Sequence, residues 1–522
     1  MDIAVIKTRT LAKRYMRYLI GIDLGTSGTK TVLFDEYGKA LTSASADYAL
    51  LQPENGWAEQ DPEEWWKACI QTLKKVISES NINTADIAGI GLSGQMHGLV
   101  LLDEKGEVLR NSIIWCDGRT AQECSEITDK VGAQKLIDIT ANPALTGFTA
   151  GKILWVRKHE PELYARVRHM LLPKDYLRFK LCGVFASEVS DASGMNLLDV
   201  PRRIWSEEIL NKLEIEREFL PAMFESCEIT GEITAETSAV TGLKAGTPVC
   251  GGAGDNAAAA IGTGIVTSGK AFVSVGTSGV IFAHSDDVSI DPKGRVHSFC
   301  SAVPGAWTVM SCTLSAGGSR LWFRDNFCLP ETEESAETGM DVFDILDREA
   351  DKIPIGANRL IFLPYLMGER SPILDPDARG VFFGLSGMHK RADMLRSLME
   401  GVVFSLRDCL DVLREMNVPF REITATGGGG RSPLWRQMMA DLFDCPIAIL
   451  ENKEGPALGA AMLAGVGTGV YSDVQAACKT IINRQISERP DKNRGEAYEP
   501  FYRLYKDLYI QLAAGFNRLA SL

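Results

Sequence analysis

One pattern occurs twice in this 522-residue chain, and that repeat limits the fold more than any other feature. Near the start, the apolar run Tyr18-Leu-Ile-Gly-Ile-Asp-Leu24 leads into Gly25-Thr-Ser-Gly28 and then Thr29-Lys-Thr-Val-Leu-Phe34. Near the middle, Ala271-Phe-Val-Ser-Val275 leads into Gly276-Thr-Ser-Gly279 and then Val280-Ile-Phe282. Each unit reads as a β-hairpin, two apolar strands around a short glycine link. One such link would be an ordinary turn, because glycine and small polar residues make turns wherever they cluster. Two in matching contexts predict two related halves that face each other.

Both halves mix strands and helices. Asp61-Pro62-Glu63-Glu64 is a helix start, with a capping carboxylate and proline at the first turn. Trp66, Cys69, Ile70, Leu73, Val76 and Ile77 follow at helical spacing and predict one buried stripe. Ile87–Leu92 reads as a buried strand, and Leu99–Leu102 with Val108–Leu109 as a hairpin around Lys105-Gly106. In the second half, Leu395 to Leu406 mark an amphipathic helix and Ile423–Thr426 a strand. Gly427–Gly430 reads as a loop, Leu434 to Phe443 as a helix and Pro446–Leu450 as a strand. This alternation predicts an α/β fold. No Gly/Ser/Pro linker parts the halves, so a tight connection near residues 250–270 is expected. The units are then a leader at 1–17, a first domain at 18–255 and a second at 256–522. The leader carries Lys7, Arg9, Lys13, Arg14 and Arg17 against the single acid Asp2, and is expected to be dispensable.

The net charge of −13 and pI near 5.2 argue against a nucleic-acid binder, which needs a basic face. An anionic ligand stays open, since backbone amides in glycine loops hold phosphate without basic side chains. The twelve cysteines are scattered, with no CxxC pair, and the six histidines show no ligand spacing with them. Reduced cysteines in the cytosol are the simple expectation. No apolar run approaches the ~18–20 residues of a membrane helix.

No G-x-x-x-x-G-K-[ST] occurs, and the first glycine loop opens a strand rather than a helix, which demotes both P-loop and dinucleotide folds. Two glycine hairpins remain, each able to aim N–H groups and hydroxyls at phosphate oxygens. Asp23, at the end of the first strand, either caps the turn or holds Mg²⁺ through water. In Gly251-Gly-Ala-Gly-Asp-Asn-Ala-Ala-Ala-Ala260, Asp255 and Asn256 open an alanine-rich helix. Asp255 is therefore a helix cap or a general base offered to a hydroxyl. Ser93-Gly-Gln-Met-His-Gly98 offers Gln95 and His97 to a polar ligand beside Met96, though a histidine there is also a common structural residue. Trp115 could stack on a sugar face while Asp117 and Arg119 bond hydroxyls; the alternative is an internal Asp–Arg pair beside a core tryptophan.

These segments, with Gly56-Trp-Ala-Glu-Gln-Asp-Pro62, Leu145-Thr-Gly-Phe-Thr149, Lys174-Asp-Tyr-Leu-Arg178 and Ser190-Asp-Ala-Ser-Gly194, resemble the FGGY carbohydrate kinases. Phe362-Leu-Pro-Tyr-Leu-Met-Gly-Glu-Arg370 and Thr426-Gly-Gly-Gly-Gly-Arg-Ser-Pro-Leu-Trp435 extend the resemblance through the second half. It implies two ribonuclease-H-like domains of the actin, hexokinase and Hsp70 ATPase type, with the active site in the cleft between them. Carried over by position, it implies Asp255 as catalytic base and Asp23 as the Mg²⁺-linked carboxylate. Gly25, Thr26, Ser27, Thr29, Gly276 and Thr277 fall at the phosphate loops, and Gly428, Gly429, Gly430 and Ser432 on the adenosine side. Met96 and His97 fall where members that phosphorylate xylulose contact the sugar, with Gln95, Trp115, Asp117, Arg119 and Asn256 completing the substrate side. The implied reaction is ATP-dependent phosphorylation of D-xylulose to D-xylulose 5-phosphate. The alternatives are a ribulose, gluconate or related kinase, or an actin-like ATPase without a sugar substrate. The implied partners are ATP, Mg²⁺ and a small sugar, without nucleic acid or membrane, and a homodimer stays open.

Overall fold

The computed structural model describes residues 16–451 and 454–522. Most of the expected leader, residues 1–15, lies outside the described residues. The two glycine-linked hairpins form as read. Tyr18–Leu24 pairs antiparallel with Gly28–Asp35, Leu24 opposite Thr29, and Gly269–Val275 pairs with Gly279–Ser285, Val275 opposite Gly279.

Each hairpin is the centre of a seven-stranded sheet, and the two sheets share one core topology. In the first, Ala40–Asp47 extends the hairpin antiparallel on one side. On the other side Ile87–Gly94 runs parallel to Tyr18–Leu24, and Pro248–Cys250 runs parallel beyond it. In the second, Trp307–Thr313 extends the hairpin, Phe420–Thr426 runs parallel to Gly269–Val275, and Ile447–Leu450 runs parallel beyond it. The repeat of sequence is thus a repeat of connectivity. Each sheet carries a long insertion: in the first lobe, residues drawn from Leu99 to Leu220 build most of a separate core around Leu154, Trp205 and Leu210. The second lobe's core is organised by the 25-residue helix Arg391–Glu415.

The lobes meet where helix Asp255–Gly262 crosses helix Gly455–Gly467. Glycine is required at this crossing by sheer closeness. A Cβ on Gly459 would lie 1.9 Å from the Ala258 carbonyl oxygen, and one on Gly262 would lie 2.0 Å from that of Gly455. The second helix also lies directly on the first sheet, where Cβ atoms on Gly21 and Gly91 would collide with the carbonyls of Ala457 and Ala460. An ion pair across the cleft, Lys30 Nζ to Glu454 Oε2 at 2.5 Å, joins the first hairpin to the start of that helix.

One expectation changes. Helix Pro62–Ser80 starts at the capping Asp61, whose Oδ1 accepts from Glu63 N at 2.9 Å, but its buried face is turned from the stripe read in the sequence. Trp65, Ala68, Cys69, Thr72, Leu73 and Val76 are buried, while Trp66, Ile70 and Ile77 are half-buried. Of two adjacent tryptophans, Trp65 turns inward because its indole N–H finds Gln60 Oε1 at 3.2 Å, satisfying its polar atom in the core. The hairpin read around Lys105-Gly106 forms, with Leu102 bridging Val108, Asp103 N on Glu107 O at 3.0 Å and Leu109 N on Leu101 O at 2.9 Å, and strand Val100–Leu102 pairs on its other edge with His169–Leu171.

Candidate active site

The first glycine turn closes through Gly25 N to Gly28 O at 3.0 Å, which leaves Ser27 exposed and Thr26 half-buried while Thr29 enters the sheet. In the second turn Thr277 O accepts from both Ala316 N and Gly318 N at 2.9 Å, and the side chains of Thr277 and Ser278 are exposed. Backbone groups thus fix both loops and leave hydroxyls free at their tips.

Asp23 is the penultimate residue of the first strand, in register with Ser93. Its Oδ1 is buried without a hydrogen-bond partner. Burial pushes its carboxyl above the usual carboxylate range, partly offset by the Ser93 hydroxyl and the Lys30 charge. Its charge is also felt at Asp255, the first residue of helix Asp255–Gly262. The N-cap there is Gly254, so the Asp255 carboxylate is not the cap. It accepts from the Asn256 amide N–H at 2.7 Å and the Asn256 side-chain amide at 3.0 Å. Burial first, and the Asp23 charge second, push Asp255 up to about 7, with the Asn256 bonds opposing. A buried carboxyl near neutrality beside a second carboxylate is the environment of a general base.

Beyond the end of strand Ile87–Gly94, Met96 packs against the residue that precedes Asp255, and His97 lies beside Met96 against Gly194. A Cβ on Gly254 would lie 2.8 Å from Met96 Cγ, and one on Gly194 would lie 2.3 Å from His97 Nδ1 and 3.3 Å from Met96 Cε. His97 has a left-handed backbone, φ 69°, held by two donors on its own carbonyl, Thr149 Oγ1 at 3.0 Å and Lys152 Nζ at 2.7 Å. Its ring stacks on Phe148, with centroids 4.5 Å apart. Burial, then the Lys152 charge, push the imidazole down to about 3, so it is neutral. Nδ1 lies 2.8 Å from the Gly194 carbonyl, which only accepts, so Nδ1 carries the proton and Nε2 is an acceptor. Gln95 donates to Gln60 Oε1 at 2.9 Å, and its own Oε1 is buried without a partner.

Trp115 is 41 % exposed, with its indole N–H on Thr26 Oγ1 at 2.9 Å, which ties it to the first glycine turn. Asp117 and Arg119 close on each other instead. Arg119 Nη2 reaches Asp117 Oδ2 at 2.7 Å, Ala58 N donates to the same oxygen, and the guanidinium stacks on Trp57 at 3.7 Å. Both side chains are buried, so their polar groups are spent within the protein.

Beyond Asn256 a cavity of about 670 Å³ opens between helix Asp255–Gly262 and the second sheet, its wall including Ser274, Gly428, Gly430 and Arg431. That volume suits a nucleotide-sized ligand. Gly428 stands open to it, whereas Gly429 packs under Trp435, and Ser432 caps helix Pro433–Phe443 by accepting from Trp435 N at 3.1 Å.

A buried charge cluster went unassigned in the sequence. Lys174, Asp175, Glu188 and Asp191 are wholly buried around the turn that leads into Asp255. Burial drives the Asp191 carboxyl well above its usual range, reinforced by the carboxylates of Asp175, Glu188 and Asp255 and opposed by Lys174. The signal that could have found it is charge inside apolar sequence, as in Met170-Leu-Leu-Pro-Lys174-Asp175-Tyr-Leu177.

Twin α/β lobes, a carboxylate pair between glycine turns and an adjoining nucleotide-sized cavity define a two-lobed phosphotransferase of the actin, hexokinase and Hsp70 architecture. Models of the FGGY family of carbohydrate kinases match residues 18–262 with the N-terminal domain and 271–468 with the C-terminal domain. The chain belongs to the FGGY family of carbohydrate kinases. It is 42% identical to the xylulose kinase of Bacillus subtilis (strain 168) over 494 residues, 95% of this chain and 97% of that one. Among solved structures, a ligand-bound xylulose kinase from Lactobacillus acidophilus superposes with a TM-score of 0.89 at 30% identity, covering 96% of this chain and 100% of that one. A gluconate kinase from the same organism gives a TM-score of 0.89 at 30% identity, covering 97% and 100%.

Proposed function

We propose that this sugar kinase transfers the γ-phosphoryl group of ATP to D-xylulose in the cytosol, giving D-xylulose 5-phosphate. The observation that carries the reading is that Met96 packs against Gly254, the residue before Asp255, and shares the Gly194 backbone with His97. An apolar contact, a neutral acceptor and a base in succession suit a small polyhydroxy ligand. The 42% identity to a xylulose kinase supports the choice of sugar. The first lobe, residues 18–255, carries the sugar side, and the second, 256–522, the nucleotide side.

Asp255 accepts the proton of the sugar hydroxyl as that oxygen attacks phosphorus, its aim fixed by the two bonds from Asn256. Phosphoryl transfer depends mainly on positioning and charge stabilisation, so few reactive side chains are needed. The amides and hydroxyls of the turns Gly25–Gly28 and Gly276–Gly279 hold the phosphates, and the cavity beside Gly428 takes the adenosine. Asp23 suits a metal-linked role because one of its buried oxygens lacks a donor. Among the described residues no cluster of three or more His, Cys, Asp or Glu could cage a metal. That matches Mg²⁺, which is usually bound through one or two carboxylates, water and substrate phosphates. When bound, Mg²⁺ supplies charge neutralisation on those phosphates.

A second reading, a gluconate kinase, is favoured by the equal structural likeness to the gluconate enzyme. ADP release measured over D-xylulose, D-ribulose, gluconate and glycerol decides. Xylulose is expected to give the highest kcat/KM, and a higher value for gluconate overturns the proposal.

A further inference from the structure

The segment Gly251–Gly254 delivers Asp255 to the cleft: Ala253–Gly254 pairs parallel with Ser93–Gly94 in the first sheet, and a buried polar network holds the backbone around that short ladder. Gly251 N donates to Glu228 O and Gly252 N to Ser226 O, both at 2.9 Å. Two further holds come from side chains. Lys174 Nζ donates to the Gly251 carbonyl at 3.2 Å, and Ser190 Oγ accepts from Gly254 N at 3.2 Å. These two side chains belong to one cluster. Lys174 also donates to Asp175 Oδ1 at 2.7 Å and lies 3.6 Å from Glu188 and 3.7 Å from Asp191. Glu188 in turn accepts from Ser190 N at 2.8 Å, Ser190 Oγ at 2.9 Å, Asp191 N at 2.9 Å and Ser226 Oγ at 2.7 Å. Buried ions are a poor source of stability, since desolvation offsets most of their attraction. What this cluster does supply is direction: donors and an acceptor at fixed points on the backbone that leads into Asp255.

We infer that Lys174 and Ser190 are positioning residues for phosphoryl transfer, clamping the Gly251–Gly254 turn so that the Asp255 carboxylate is aimed at the acceptor hydroxyl. The inference rests on Asp255 being the base. A helix start that drifts by an ångström would misplace the carboxylate, and misplacement on that scale costs about 10²-fold in rate. Neither side chain touches the substrate in this scheme; both act through the backbone of one turn.

A double-mutant cycle tests it. ADP release with D-xylulose is measured for Lys174→Met, Ser190→Ala and Asp255→Asn, and for each of the first two combined with Asp255→Asn. Lys174→Met is expected to lower kcat about 10²-fold and Ser190→Ala about tenfold, with the KM for ATP within about twofold of the parent. In the Asp255→Asn background each change is expected to cost less than about twofold, because the group that they aim is gone. Equal losses in both backgrounds would show a merely structural role and overturn the inference, as would a parental kcat for both single variants. Parental turnover by Asp255→Asn itself would instead overturn the assignment of the base, a separate result. Lys174→Met leaves three buried carboxylates unbalanced. If that variant does not fold, Ser190→Ala, which changes no charge, decides alone.

Discussion

Asn256 gives two hydrogen bonds to a single oxygen of Asp255, one from its amide N–H at 2.7 Å and one from its side chain at 3.0 Å. Both land on Oδ1, which leaves Oδ2 for a substrate proton. Asp255→Asn is therefore expected to lower kcat at least ~10²-fold while nucleotide affinity is kept. Turnover within about tenfold of the parent, with D-xylulose saturating, would remove Asp255 from the mechanism.

The same carboxyl sets a pH dependence. Burial and the Asp23 charge raise it to about 7, so the free enzyme holds the proton, and lacks its base, at lower pH. The kcat/KM is expected to rise about tenfold per pH unit up to about 7 and then level off. A profile flat between about pH 5.5 and 8 contradicts this. Stability runs the other way. The folded state keeps a proton that the unfolded chain releases from its ordinary value of 3.8 upward, so this group's contribution falls as pH rises towards about 7. Asp255→Asn should flatten that part of the Tm–pH curve.

His97 is expected to act through Nε2 as an acceptor of a sugar hydroxyl. His97→Asn keeps a residue that tolerates the left-handed backbone while removing the ring. The loss of about 1 kcal/mol of hydrogen bonding predicts an approximately fivefold higher KM for the sugar and an unchanged KM for ATP. A rise in the ATP constant alone would place His97 on the wrong side of the cleft.

Gly428 has open space where a side chain would go and an ordinary helical φ of −60°. Gly428→Leu should therefore fold normally yet intrude on the cavity of about 670 Å³ beside it. An overpacking cost of at least about 1.4 kcal/mol corresponds to a tenfold or greater rise in the KM for ATP, with Tm unchanged. An unaltered KM would move the adenosine elsewhere.

Local pattern carried much of the fold. The hairpins at Tyr18–Asp35 and Gly269–Ser285 and the start of helix Pro62–Ser80 were legible because apolar runs, glycine links and a capping carboxylate act over a few residues. The facing of that helix was not, since Trp65 and Trp66 are chemically equal until Gln60 chooses between them. Asp255 and His97 stood out as polar residues in apolar or glycine-rich surroundings. Asp117 and Arg119 could not be resolved, because an open pair and a closed pair have the same spacing. Glu188 and Ser190 are linked locally, since Glu188 caps helix Val189–Ala192, but Lys174 meets them only through tertiary structure.

The crossing of helices Asp255–Gly262 and Gly455–Gly467 has a thermodynamic consequence. Its contacts are backbone against backbone, with neither charge nor long side chains at Gly262, Gly455 and Gly459, so dispersion rather than Coulomb attraction holds it. Such a junction is indifferent to ionic strength. The Lys30–Glu454 pair at the cleft mouth is part-exposed and screened by salt. Salt is therefore expected to weaken the bridge between the first hairpin and this helix while leaving the helix crossing untouched.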